Sequence, residues 1–324
     1  MILLDFSQTM ISALMTERRI STGNWQAERG KDAPMPAPTR EEYTPMLRHL
    51  VLNTIRGIRS RFFNEYGELV ICCDSKKNWR RDIFPHYKAQ RRISRQASED
   101  SGEMDWKTTF DVLGEIREEV RDNLPYPMVT VEGAEADDVI GALCISFGDT
   151  APRTTIDSGP LFFESNKKPK ILIYSSDRDF AQLQRFSNVY QYSPFLKSFI
   201  KEPNPARCLM EHVLRGDKSD GVPNFLSDGD TFVIEGKRQK PIRQKDLDQM
   251  LTQTPDVFCT TPKMREGFER NQNMIDLRFM PGDIYSRCLL SYEEAKINAP
   301  SRSRVLDYLV RSRLKKLTEL ANDF

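Results

Sequence analysis

The residues best suited to chemistry in this 324-residue chain are carboxylates, and they stand at recurring places. Apolar runs at Ile2–Leu4 and Leu69–Cys73 end directly in Asp5 and Asp74, and a third, Ile171–Tyr174, leads through two serines into Asp177 and Asp179. Two further acidic groups are Glu135-Ala136-Asp137-Asp138, opening an apolar helical stretch, and Asp217-Lys218-Ser219-Asp220, following Gly216. A single aspartate after a strand is usually a turn former or a helix cap. The helix dipole accounts for one or two acids in a first turn, but three within four residues repel one another. In an open parallel sheet, residues beyond the carboxyl ends of sequence-distant strands meet on one edge. Carboxylates gathered there raise each other's pKa and call for a cation. The chain has three histidines, His49, His86 and His212, and no thiolate or imidazole is expected beside the acidic motifs. An oxygen-only site suits Mg2+, with Mn2+ as a substitute, rather than zinc. Two such ions about 4 Å apart activate a water and stabilise the leaving oxygen of an in-line phosphoryl displacement. Phosphodiester hydrolysis is the chemistry these residues point to.

Strands alternating with helices must position the acids. Tyr43, Leu47, Leu50, Ile55, Ile58 and Phe62 recur at helical spacing, with Gly67 as the stop. Phe110, Leu113, Ile116 and Val120 mark a second helix, ended by Pro125 and Pro127, and Met128–Val131 reads as a strand. Glu135–Phe147 is a helix, and another begins over Phe180–Phe186. Ser21–Glu41 is poor in large apolar side chains and carries Pro34, Pro36 and Pro38, so it reads as a loop or flexible insert. Asp149–Pro169 reads as a second insert. Beyond Asn204-Pro205 the pattern turns mostly helical. The expected fold is α/β: residues 1–204 forming a mostly parallel central sheet flanked by helices, and residues 205–324 a helical C-terminal domain.

Hydrophobic residues at 39% and charged residues at 29% describe a soluble globular protein. Lys+Arg (48) and Asp+Glu (47) nearly cancel, so the local distribution of charge carries the information. Lys76 to Arg95 holds eight basic residues against Asp82, with Trp79, Phe84 and Tyr87 interleaved. Such a segment can neutralise phosphates and stack on an unpaired base, although Trp79 and Phe84 serve equally well as core residues. A second basic run, Arg302 to Lys316, has six bases against Asp307 and suits a duplex or a plain charged helix surface. The six cysteines show no C-x-x-C spacing and mostly sit in apolar runs, which suits buried thiols in a reducing compartment. No apolar run approaches the roughly 20 residues of a bilayer span. Met1-Ile-Leu-Leu-Asp5 lacks the start of a signal peptide, so a cytoplasmic protein is expected.

One family carries these motifs in this order. Leu3-Leu-Asp5-Phe-Ser7, Trp79-Arg-Arg-Asp82 followed by Tyr87-Lys88-x-x-Arg91, and Glu135-Ala-Asp-Asp138 come first. Ser175-Ser-Asp-x-Asp-Phe-x-Gln-Leu183, Leu214-x-Gly-Asp-Lys-x-Asp220 and the ending Leu317-Thr318 … Asp323-Phe324 follow. Together they resemble the 5′-nuclease superfamily of flap endonucleases and the 5′→3′ exonuclease domain of bacterial DNA polymerase I. Within it, the ribonuclease H branch of T-even bacteriophages is most similar. The resemblance implies a PIN-like core and two Mg2+ ions. Asp5, Asp74, Glu135 and Asp137 would hold the first ion, and Asp177, Asp179 and Asp220 the second, with Asp138 and Asp217 as supports acting through water. It makes residues 76–105 an arch or bridge over a 5′ single strand. Lys88 and Arg81 would touch the scissile phosphate there, and Arg80, Tyr87, Arg91, Arg92 and Arg95 the nucleic acid.

By the same resemblance, a monomer would act on RNA–DNA and DNA duplexes and on 5′-flap or forked DNA. Its role would be removal of lagging-strand RNA primers in phage replication within the host cytoplasm. A single-strand-binding protein and a sliding clamp are the implied partners. The family's glycine-rich hairpin after Gly-Asp-x-x-Asp is replaced here by a polar stretch, Pro223–Lys240, which leaves duplex grip and any potassium site open. A haloacid-dehalogenase-type phosphatase needs a second aspartate at position 7, which is Ser7. A non-catalytic DNA-binding scaffold would lack some of the carboxylates, and none is missing. An RNA-cleaving toxin domain of similar fold would lack the helical C-terminal half.

Overall fold

The computed structural model describes residues 1–31, 35, 38–102, 104–150 and 168–324. Strand β1 (Ile2–Asp5) is buried at every position and pairs in parallel with β2 (Leu69–Cys73) on one side and β4 (Ile171–Tyr174) on the other. Strand β3 (Met128–Thr130) extends the sheet beyond β2, and β5 (Val189–Ser193) extends it beyond β4, both in parallel. Strand β6 (Ser198–Ile200) closes that edge as the antiparallel partner of β5. The order β3-β2-β1-β4-β5-β6 puts a topological switch point between β1 and β4. Ligands of open α/β sheets lie beyond the strand ends at such a point.

Both faces of the sheet are covered. Ile2, Leu4, Leu69, Ile71, Cys73 and Leu172 point into one core, with helices α1 (Phe6–Arg29), α2 (Arg40–Tyr66) and α5 (Trp106–Asn123). Leu3, Val70, Cys72, Val129, Ile171 and Ile173 point into the other. That core also takes α6 (Ala136–Phe147) and the C-terminal helices α7 (Pro205–Arg215), α10 (Pro262–Ile275) and α11 (Gly282–Asn298). The period-two alternation of a strand buried on both sides produces this division. The C-terminal helices therefore share a core with the sheet rather than packing only among themselves.

Local signals set several boundaries as expected. Gly67 at φ 82° ends α2, whose start lies earlier than expected, inside the supposed loop, where Thr39 caps it and pairs with Glu42 in a capping box. Asn204 caps α7, Pro205 occupies its first turn and Gly216 ends it. Other expectations are corrected. Ser21–Arg29 is the distal part of α1, not a loop. Its side chains are exposed or half-buried, so it has no apolar stripe to advertise a helix. Phe180–Phe186 follows a 3-10 helix, Arg178–Arg185, and β5 and β6 were not foreseen. Most of the second expected insert, residues 151–167, lies outside the described residues. No described helix is long and apolar enough to cross a membrane.

Candidate active site

Five chain segments deliver carboxylates to the switch point. Asp5 ends β1 and caps α1, accepting from the Gln8 amide at 3.1 Å, and its other oxygen accepts from the Ser175 hydroxyl beyond β4 at 3.1 Å. Asp74, just past β2, accepts from the Ala136 amide at 2.9 Å and so pins the start of α6 to the strand end. Glu135 caps α6, and Asp137 lies in its first turn. Asp177 caps the 3-10 helix by accepting from the Asp179 amide at 2.9 Å, and Asp179 follows in its first turn. The fifth segment is the turn after α7. Gly216 has φ 70°, and a Cβ there would collide with the Val222 and Pro223 carbonyls, so only glycine lets the chain reverse this tightly. Asp217 holds the turn by accepting from the Ser219 amide at 2.7 Å and the Asp220 amide at 3.1 Å. The Lys88 amide donates to the Asp220 carbonyl at 2.7 Å, which brings this turn against the basic segment.

The charges of these groups act on one another. Burial first, and then the charges of Asp74 and Asp177, push the Asp5 carboxyl up to about 8. Burial and then Asp177 raise Asp137 and Asp179 well above the usual carboxylate range, and burial raises Asp177. Glu135 goes the other way: burial raises it, but Lys88 and Arg80 outweigh that and bring it down to about 2. Buried oxygens that oppose each other's ionisation have the chemistry that suits a hard divalent cation. A stability prediction follows by linkage. Between about pH 4 and pH 8 the cation-free folded protein binds more protons at Asp5 than the unfolded chain does, as it does at Asp137, Asp177 and Asp179 in the same sense. Their contribution to stability is full below the unfolded carboxylate pKa and is lost as pH rises through the folded values. In EDTA the melting temperature should therefore fall from pH 6 to pH 8.5, and Mg2+ should raise it most at pH 8.5. An equal effect of Mg2+ at both pH values would refute this linkage.

Comparison with known proteins fits this geometry. Residues 44–208 match the family model "5'-3' exonuclease, N-terminal resolvase-like domain", and residues 204–324 match "T4 RNase H, C terminal". The chain belongs to the 5′–3′ exonuclease family. It is a nuclease. The ribonuclease H of Enterobacteria phage T4 is 29% identical over 287 residues, covering 86% of this chain and 87% of the relative. A 5′-3′ exonuclease of Buchnera aphidicola subsp. Schizaphis graminum is 27% identical over 180 residues, about half of each protein (53%). In fold the nuclease is similar to a T5 protein co-crystallised with metal ions (TM-score 0.55) and to a bacteriophage T5 flap endonuclease in a pseudo-enzyme–product complex with DNA and metal ions (TM-score 0.52). Each match covers 91% of this chain and 98% of the other, at 13% identity.

The basic segment of this nuclease divides into buried and exposed parts that its sequence did not separate. It contains α3 (Trp79–Ile83) and α4 (Ala89–Asp100). Arg80, expected to contact nucleic acid, is only 3% exposed: its Nη1 lies 3.0 Å from Asp138 Oδ2, its Nη2 2.9 Å from Asp138 Oδ1, and its Nε donates to the Met274 carbonyl. Tyr87, also expected at the nucleic acid, is buried, with its hydroxyl 2.9 Å from Glu135 Oε2 and 2.8 Å from Asp220 Oδ2. Trp79 and Phe84 are core residues, so none of the three aromatics is placed to stack on a base. Asp138 is fully buried and engaged with Arg80, with the Trp79 indole and with the Glu135 amide, which removes it from the water-mediated support expected of it. Lys88 stays at the site: its Nζ is 2.6 Å from Glu135 Oε1 and 3.5 Å from Asp220 Oδ2, and its backbone is left-handed at φ 56°. Arg91 pairs with Asp220. Arg81 and Arg92 are exposed and have no acidic partner among the described residues, and Arg95 lies over the Phe110 ring at 4.7 Å. One residue was missed: His212 sits between Asp179 and Asp217, so an imidazole does accompany the acids. Its place on the helix leading into Gly216 was the available signal.

Proposed function

We propose that the chain is a Mg2+-dependent 5′→3′ exonuclease and flap endonuclease, able to use Mn2+, that acts on RNA–DNA and DNA duplexes and removes RNA primers during phage DNA replication. The observation that carries this reading is the convergence of mutually repelling carboxylates from five segments at the β1/β4 switch point, with the Lys88 ammonium among them. Asp5, Asp74, Glu135 and Asp137 would hold one cation; Asp177, Asp179 and Asp220 would hold the other. When bound, the cations supply an activated water and charge stabilisation for the leaving oxygen. The chain's own residues do the rest. Burial of the carboxylates excludes bulk water and strengthens the electrostatics of the site. Lys88 would meet the scissile phosphate, a role supported by its strained backbone conformation and its tie to the Asp220 carbonyl at the cluster. Arg81, Arg91, Arg92 and Arg95 line the approach for a single strand.

Residues 205–324 are assigned to duplex holding. In the second basic run, Arg302 donates to the Phe324 carbonyl, Arg304 to that of Asp122 and Arg311 to the Asp307 carbonyl and the Asn123 side chain, which leaves Arg313, Lys315 and Lys316 exposed for phosphate. The names of the similar proteins, a ribonuclease H and a flap endonuclease bound to DNA, support the substrate class. A monomer working in the host cytoplasm beside a single-strand-binding protein and a sliding clamp is the corresponding setting. The test is incubation with a 5′-labelled RNA–DNA hybrid and a 5′-flap DNA, in Mg2+ and in EDTA. Cation-dependent release of 5′ fragments is expected; loss of the terminal phosphate alone would show a phosphatase, and no change an inert binder. Lys88→Ala should lower the single-turnover rate by about 10²-fold, the scale of one preorganised charge contact, while DNA affinity changes far less. An unchanged single-turnover rate would remove Lys88 from the chemistry.

A further inference from the structure

We propose that His212 is a positioning residue that sets the affinity of the site for its second cation, an inference that rests on the divalent-cation reading above. The imidazole is 8% exposed on the last turn of α7. Its Nδ1 lies 3.1 Å from Asp179 Oδ1 and its Nε2 lies 3.2 Å from Asp217 Oδ2. The ring is thus wedged between two carboxylates, close enough to each for a charge contact. Asp217 is itself fixed, because its Oδ1 takes the Ser219 amide, the Ser219 hydroxyl and the Asp220 amide. The Gly216 turn holds Asp217, Asp217 stands against one side of the ring, and the other side meets Asp179 Oδ1, a buried oxygen with no hydrogen-bond partner among the described residues. A charged ring at that distance offsets part of the repulsion that Asp179 meets from its acidic neighbours, and so keeps its carboxylate within the cluster. Without the ring, Asp179 is driven from its neighbours by the charges of Asp177, Asp220 and Asp217. Groups that orient metal-binding side chains typically change metal affinity or activity by about 10–100-fold when removed.

The experiment uses the full chain on a 5′-flap DNA, with the half-activating Mg2+ concentration measured for wild type, His212→Ala, His212→Phe and His212→Gln. Mn2+ binding to each DNA-free protein is titrated by calorimetry alongside. His212→Phe keeps the volume of the ring but has no polar atom to hold a carboxylate. Both His212→Ala and His212→Phe should raise the half-activating Mg2+ concentration by about 10–100-fold and weaken Mn2+ binding in parallel, with the rate recovered at saturating cation. His212→Gln, which can still hydrogen-bond a carboxylate, should recover part of the loss. Wild-type cation affinity in His212→Phe would overturn the proposal, as would a lost maximal rate at unchanged affinity. A selective loss of Co2+ over Mg2+ activation would make the ring a ligand and overturn it too. A wild-type enzyme active in EDTA would instead defeat the divalent-cation reading itself.

Discussion

Asp137→Asn is expected to lower the cleavage rate by on the order of 10³-fold, which corresponds to roughly 4 kcal/mol of transition-state stabilisation. Asp137 is the acid on which the charges of Asp177, Asp5 and Glu135 all act, and it is one of the four proposed to hold the first cation. Asparagine keeps the shape and one acceptor oxygen but removes the charge. The same substitution relieves repulsion, so the cation-free protein should melt higher than wild type at pH 8, while Mg2+ should raise that melting temperature less than it does for wild type. Loss of activity with a gain in cation-free stability is the signature of a functional charge held against its preference. Binding of a flap DNA in EDTA should change little. Full activity of the purified variant, with contaminating nuclease excluded, would break the site assignment.

Arg80→Ala is expected to cost about 3–5 kcal/mol of stability, because it strands the Asp138 carboxylate without a counter-charge. Asp138 is fully buried, and Arg80 supplies both of its ion-pair contacts. Adding Asp138→Ala to that variant should restore part of the loss, since the stranded charge goes with it. Arg80→Lys should fare poorly too, because an ammonium cannot reproduce the fork that spans Asp138, Glu135 and the Met274 carbonyl. Denaturant unfolding of the single and double variants measures these differences. A stable Arg80→Ala protein with weakened DNA binding would return this residue to the surface role that its sequence position suggests.

The contrast between Arg80 and Arg81 shows where a sequence runs out. Both lie in one basic stretch, and nothing in composition or spacing tells them apart. The short helix α3 turns Arg80 onto α6 and α10 and leaves Arg81 in solvent. Tyr87 repeats the lesson: an aromatic among bases reads as a stacking residue, yet its hydroxyl is buried between Glu135 and Asp220. The distal half of α1 was illegible for the opposite reason, since a helix segment with no buried face lacks the stripe by which helices are read.

By itself, the sequence determined the parallel α/β plan, the ends of its principal helices and the strand-end carboxylates. Those features are local: apolar periodicity, caps, glycine stops and short acidic motifs act over a few residues. The tertiary structure alone decided which charges belong to the site and which serve the core. It paired Asp138 with Arg80, set His212 between Asp179 and Asp217, and placed Asp5 against Ser175 across two strands. The physical reason is that a charge takes its role from its burial and its partners, and those are fixed by residues far away in the chain.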